Sequence, residues 1–237
     1  MFQGIKYFIK GSRLIFKPGI KRYVLVPLLI NISLFSIGFW LGLQWFDEFL
    51  ADVLPTWLAW AEYILWPIFT LSYFLIVFYL FALIANVIAA PFNGLLAEKI
   101  ELHVNKTSID DSTQRILPTI IPSIASELGK LIYFVFRSIP LLLLFLIPGL
   151  NLLAPIVWFI FSSWMLSLEY LDYPLGNHNI LFKKTRELVK QQRITCLSFG
   201  AITSAFTLIP FINFFVMPIA VAGATLLYID KFSDETS

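Results

Sequence analysis

The residues best suited to chemistry are Gly19-Ile20-Lys21-Arg22, which stand just before a long apolar run beginning at Val24. The first N–H groups of a helix lack internal partners, and the helix dipole favours negative charge beside them, so such a position can hold an anion. Arg22 offers a planar fork that matches two oxygens of an oxyanion, and Lys21 adds a point charge. Gly19 lets the backbone come close to a ligand. The same basic residues also fit a plain anchor at a cytoplasmic membrane boundary. Catalytic and metal chemistry have no comparable set. His103 and His178 are the only histidines, and neither has a partner at metal-ligand spacing. CxxC, HExxH, G-x-S-x-G and phosphate-loop patterns are absent from the sequence. The acids lie in polar segments outside the apolar runs, which argues against a relay of buried carboxylates. Asp172-Tyr173-Pro174 with Asn177-His178 reads as a capped turn between helices. The expectation is therefore a non-enzyme with no catalytic residue, metal ligand or cofactor.

The elements that must position this loop are membrane elements. The 237 residues are 59% hydrophobic and 14% charged, with a mean hydropathy of +0.82. That composition belongs to integral membrane proteins. A net charge of +2 gives no reason to expect nucleic-acid binding. The one cysteine, Cys196, lies in an apolar run and reads as a small buried residue. No cleavable signal peptide is expected, and the length suits a single membrane domain. Residues 1–22 carry Lys6, Lys10, Arg13 and Lys17 at helical spacing opposite Phe2, Ile5, Phe8, Ile9 and Phe16, the pattern of an amphipathic interfacial helix. Runs 24–46 and 63–97 read as transmembrane helices. The second is about 52 Å long as a continuous helix, so a bend is expected at Ala90-Pro91-Phe92-Asn93-Gly94.

Two further uncharged runs, 138–168 and 194–229, are broken centrally by look-alike stretches. One is Leu146-Ile147-Pro148-Gly149-Leu150-Asn151, the other Leu208-Ile209-Pro210-Phe211-Ile212-Asn213. Each run is too long for one neat span and too short for two, since a span takes roughly 20 residues. Proline ends helices, so both read as hairpins that enter the membrane and return. Their tips carry Gly149, Asn151 and Asn213, which with Asn93 are candidate pore-lining residues. Charge bookkeeping agrees. Residues 1–22 hold six Lys or Arg and no acid, whereas 47–62 hold four acids and no Lys or Arg, with Trp57, Trp60, Tyr63 and Trp66 as an aromatic belt. The first segment is then cytoplasmic and the second external. Segment 98–137 is cytoplasmic after two crossings, with Asn105 to Thr113 a polar loop. Segment 169–193 carries five Lys or Arg against three acids and is also placed inside, as hairpins require. Both termini are then cytoplasmic.

Several stretches resemble the CysZ family of bacterial sulfate permeases. They are Arg13 to Arg22, Val26-Pro27-Leu28-Leu29-Ile30-Asn31, Ile88 to Glu98, Ile147-Pro148-Gly149, Asp172-Tyr173-Pro174 with Asn177-His178, and Phe199-Gly200-Ala201. The string Ala-Pro-Phe-Asn-Gly-Leu-Leu-Ala-Glu at 90–98 is the most specific. The resemblance runs from about residue 10 to about residue 230. It implies sulfate uptake across the inner membrane for cysteine biosynthesis. It also implies a homo-oligomer and an all-α fold of two long transmembrane helices and two hemi-penetrating helix pairs. The family's sulfate site is a Gly-Leu-Arg type loop before the first long helix. Here Ile20 replaces the leucine and Lys21 the first of two arginines, which removes one bidentate fork. A non-transporting membrane subunit that assists another sulfate transporter, and a lipid-modifying membrane enzyme, are the rival readings.

Overall fold

The computed structural model describes residues 3–53, 60–105, 116–209 and 212–235. Among them every regular element is helical: α1 Gln3–Leu14, α2 Lys21–Val53, α3 Glu62–Asn105, α4 Ile116–Leu144, α5 Ala154–Asn177, α6 Phe182–Gln191, α7 Arg193–Thr207 and α8 Asn213–Lys231, followed by a 3₁₀ turn at Ser233–Glu235. Phe2, Trp57, residues 106–113 of the expected polar loop, Pro210, Phe211 and Ser237 lie outside the described residues. Lys21–Phe49, Ala154–Asn177 and Asn213–Lys231 are long and apolar enough to cross a membrane.

α2 and α3 outrun the apolar runs 24–46 and 63–97, because a helix does not end where hydropathy does. α3 stays helical through residues 90–94, so the expected bend there does not interrupt it. A proline in a membrane helix removes one N–H and need not end it.

The chain divides into two compact units, residues 25–92 and residues 1–24 with 93–237. In the first, α2 and α3 run antiparallel. Tyr73 Oη donates to the Gly38 carbonyl at 2.8 Å, Phe46 stacks on Phe69, and Trp66 Nε1 donates to Asp47 at 3.1 Å. Among its described residues, Leu29, Ile37, Trp40 and Leu71 are exposed and apolar, a surface suited to lipid.

The second unit is organised by α8. Its residues 219–225 are all buried, with Ala220, Ala222, Gly223 and Ala224 giving it a thin profile. A helix apolar and buried on nearly every side is a central one. α1, α5 and α7 pack around it. α1 thus has a protein-facing side. Gly4, Tyr7, Phe8, Gly11 and Leu14 form its buried face against α7 and α8, while Ile9 and Phe16, expected on the apolar face, are exposed. Gly4 and Gly11 let the backbones touch: a Cβ at Gly11 would collide with the Ile219 carbonyl and Gly223. The middle of α1 is tied to the end of α8 by the Tyr7 hydroxyl, which donates to Asp230.

α4 and α5 form an antiparallel pair. Tyr133 meets Trp164, Phe134 meets Phe161 and Phe145 meets Trp158, so the partner's number falls as the first rises. The chain reverses in the turn 145–153. α7 and α8 are also packed together across the short connection after Thr207.

Asp172-Tyr173-Pro174 is not a turn. It lies inside α5, which ends only after Asn177. Asp172 lies 2.9 Å from Lys130 and accepts from Thr185 at 3.3 Å. Lys130 also lies 3.3 Å from Glu169, so two acids from α5 face one buried lysine from α4.

Candidate anion-binding site

The α1–α2 connection is a Pro-Gly turn. Gly19 has φ +87°, a left-handed backbone that glycine adopts at no steric cost, and no atom lies within 4 Å of where its Cβ would stand. The Ile20 and Lys21 N–H groups both donate to the Lys17 carbonyl, at 3.1 Å each. Two of the four N–H groups at this helix start are therefore already engaged. Of residues 19–22, the Gly19 and Arg22 amides have no backbone acceptor. Ile20 acts through its side chain, which is buried and pins the turn to the core holding Leu96 and Ile100.

Lys21 and Arg22 are the first two residues of α2, and both are exposed. Neither has an acidic partner among the described residues. The Arg22 guanidinium lies 5.0 Å from the centre of the Tyr23 ring, and Nη2 donates to Tyr23 Oη at 3.1 Å. Stacking of this kind orients the fork without neutralising it. Lys17 Nζ lies 3.4 Å from His103 Nε2 and ties the turn to the end of α3. Cations and an open left-handed glycine thus converge at a helix start, an arrangement suited to binding an oxyanion.

The tip of the α4–α5 hairpin repeats this geometry. Ile147-Pro148-Gly149-Leu150 matches Lys17-Pro18-Gly19-Ile20, Gly149 has φ +85°, and Asn151 N–H donates to Ile147 O as Lys21 N–H does to Lys17 O. Here Asn151 and Leu152 stand where Lys21 and Arg22 stand, so the turn keeps its shape without its charge. Asn151 is exposed, and Leu153, not Asn151, precedes α5. Asn213 is exposed as the first residue of α8, with no side-chain cap hydrogen bond there. The tip asparagines therefore do not cap the helices that follow them. Asn93 lies apart on α3, 5% exposed, and its Nδ2 is buried without a partner. Among the described residues no hydrogen bond or ion pair joins the α1–α2 turn to either tip.

One polar pair was not anticipated. Glu101, from a segment expected to be cytoplasmic, is a buried residue of α3, and its Oε1 lies 2.8 Å from His178 Nε2. Next to it, Asn177 Nδ2 donates to the Gly94 carbonyl at 2.9 Å. The Asn177-His178 dipeptide thus docks the end of α5 along α3. Spacing along the chain could not pair residues 77 positions apart. The Glu101 hydrogen bond raises the His178 pKa above its ordinary value, against partial desolvation. A raised histidine pKa contributes stability that is complete below about pH 6.5 and is lost as pH rises through the folded-state value. The thermal midpoint should fall as pH is raised from about 6 to 8, and His178→Gln should remove about 2 °C of that fall, as suits a partly exposed pair. An unchanged pH slope in the variant would reject the pairing as a stabilising contact.

The family described as sulfate transporter CysZ/etoposide-induced protein 2.4 matches residues 7–218. A protein of Pectobacterium atrosepticum named sulfate transporter CysZ is 43% identical over 234 residues, covering 97% of this chain and 85% of that protein.

Proposed function

The chain belongs to the sulfate transporter CysZ/etoposide-induced protein 2.4 family, and on that premise we propose that it carries sulfate across the bacterial inner membrane to supply cysteine biosynthesis. The observation that carries the reading is the α1–α2 turn. Two exposed cations without acidic partners among the described residues and an open Gly19 stand at the start of a helix long enough to cross a bilayer. A dianion is costly to desolvate. Gly19, Lys21 and Arg22 bind it first, with Ile20 as the anchor, and replace part of its water. The hairpin tips, with Gly149, Asn151 and Asn213, and Asn93 on α3, line the path beyond.

Two lengths favour hemi-penetration: from the Lys130–Glu169 ion pair to the end of α4 is about 21 Å, and α7 is about 22 Å long, both short of the ~30 Å hydrocarbon core, whereas their partners α5 and α8 are long enough to cross by length alone. From Arg22 to Asp47 is about 37 Å, a full crossing. The tips are apolar and open, with Leu146, Leu152 and Leu208 at 76%, 79% and 76% exposure. Irregular backbone at membrane depth needs cover from protein or a wet cavity, which favours a homo-oligomer. Both termini and α6 are then cytoplasmic. A cysteine replacing exposed Lys184 should react with an impermeant thiol reagent only from the cytoplasmic side; labelling only from outside would overturn the topology.

Liposomes holding only this protein should take up radioactive sulfate, and doing so with and without a proton gradient separates channel from coupled carrier. Binding without flux would instead support the accessory-subunit reading. Alanine at both Asn151 and Asn213 should lower flux by about tenfold, the worth of one hydrogen bond to a charged group; unchanged flux would remove the tips from the path.

A further inference from the structure

A second pair of arginines lies away from the α1–α2 turn. Tyr133 on α4 has the Arg137 guanidinium 5.4 Å and the Arg186 guanidinium 5.2 Å from its ring centre. Arg137 is one turn along the same helix, and Arg186 comes from α6. The ring is locked in place: Trp164 Nε1 donates to its hydroxyl at 3.2 Å, and Phe182 packs edge-on at 5.7 Å. Neither arginine has an acidic partner among the described residues, and Arg186 Nε is buried with no acceptor. The nearby acids are engaged elsewhere, since Glu169 and Asp172 face Lys130. Two like charges held beside one ring without an anion are incomplete.

The surroundings indicate what completes them. Phe136, Ile139, Leu142, Leu143 and Leu146 are exposed and apolar along α4 from this level to the hairpin tip. A helical side chain leans toward the helix N-terminus, so Arg137 reaches back from that apolar surface to the level of Tyr133, as a snorkelling arginine does. α6 continues the level with exposed Lys183, Lys184 and Lys190. An oxyanion at this boundary, with hydrocarbon directly below it, is a lipid phosphate.

We infer that Tyr133, Arg137 and Arg186 form a binding site for the phosphate of an anionic phospholipid, whose acyl chains lie along α4 toward the tip. The inference rests on the reading that this hairpin enters the membrane, but not on sulfate transport. The test is retention of dioleoylphosphatidylglycerol by the purified full chain, followed by native mass spectrometry, with dioleoylphosphatidylcholine as the control lipid. Each basic contact is worth about fivefold, so R137Q should weaken retention by about fivefold and R137Q/R186Q by about 25-fold, with phosphatidylcholine unchanged. Should the double variant fail to fold, R137Q decides, because Arg137 is exposed. Three results would overturn the site. One is equal phosphatidylglycerol retention by wild type and R137Q. Another is an equal loss from K183Q/K184Q, which would mean a diffuse basic surface. The third is displacement of the lipid by excess sulfate, which would make this a second site for the inorganic anion. Sulfate flux, measured separately, fails or survives without bearing on this retention.

Discussion

Replacing Arg22 by alanine should cut sulfate flux into liposomes by about tenfold or more, the worth of a hydrogen bond to a charged group. The side chain is exposed, stacked on Tyr23 and unpaired with any acid among the described residues. Its removal strands no buried partner and leaves stability nearly unchanged. Arg22→Lys keeps the charge but loses the planar fork and the stacking, so it should recover only part of the flux. Lys21→Ala should cost less, about threefold, since an exposed point charge is screened by salt. The comparison needs both flux and sulfate affinity. A loss of affinity at unchanged maximal flux marks the turn as the binding site, and a loss of maximal flux alone moves it into the pathway. Flux at wild-type level in Arg22→Ala would remove the α1–α2 turn from the transport route.

The largest stability effect is expected at Gly200. This glycine of α7 lies against α5 so closely that a Cβ would overlap the Ser163 carbonyl oxygen and crowd Ser167 Oγ. The single hydroxyl hydrogen of Ser167, which is fully buried, is shared between the Ser163 carbonyl at 3.0 Å and the Cys196 carbonyl, so the contact is polar as well as tight. The obstacle is helix backbone and cannot rotate away. Gly200→Ala should therefore force α5 and α7 apart and destabilise the protein by about 3 kcal/mol or more. In a chain of this length that lowers the thermal midpoint by about 10 °C. Gly176→Ala is the matched control. Gly176 is also helical, nothing stands within 4 Å of its Cβ position, and alanine there should be neutral or slightly stabilising. Equal melting of the Gly200→Ala variant and wild type would mean that this helix crossing is looser than described.

Both effects arise where the tertiary contacts add to the sequence pattern. Lys21 and Arg22 announce themselves by type and by position before an apolar run. Which of the four amides stays open depends on Gly19 adopting φ +87° and on Lys17 accepting two N–H groups, a local hydrogen-bond choice that residue types do not specify. The likeness of the Gly19 and Gly149 turns was available in the shared Pro-Gly dipeptides. The Glu101–His178 contact had no such signal. Its partners lie on α3 and just beyond α5, and only the docking of those helices brings them to 2.8 Å.

By itself the sequence determined the all-helical character, the apolar runs, and their interruption near Pro148. Hydropathy and helix-breaking chemistry act over a few neighbouring residues and survive in any context. The tertiary structure alone decided that α8 is the central helix, that one face of α1 packs on α7 and α8, and that Asp172 is a helical partner of Lys130. An apolar face reads the same in the chain whether protein or hydrocarbon covers it. What separates the two is close approach of backbones at Gly4, Gly11 and Gly200, where the missing Cβ atoms make room for a neighbouring helix.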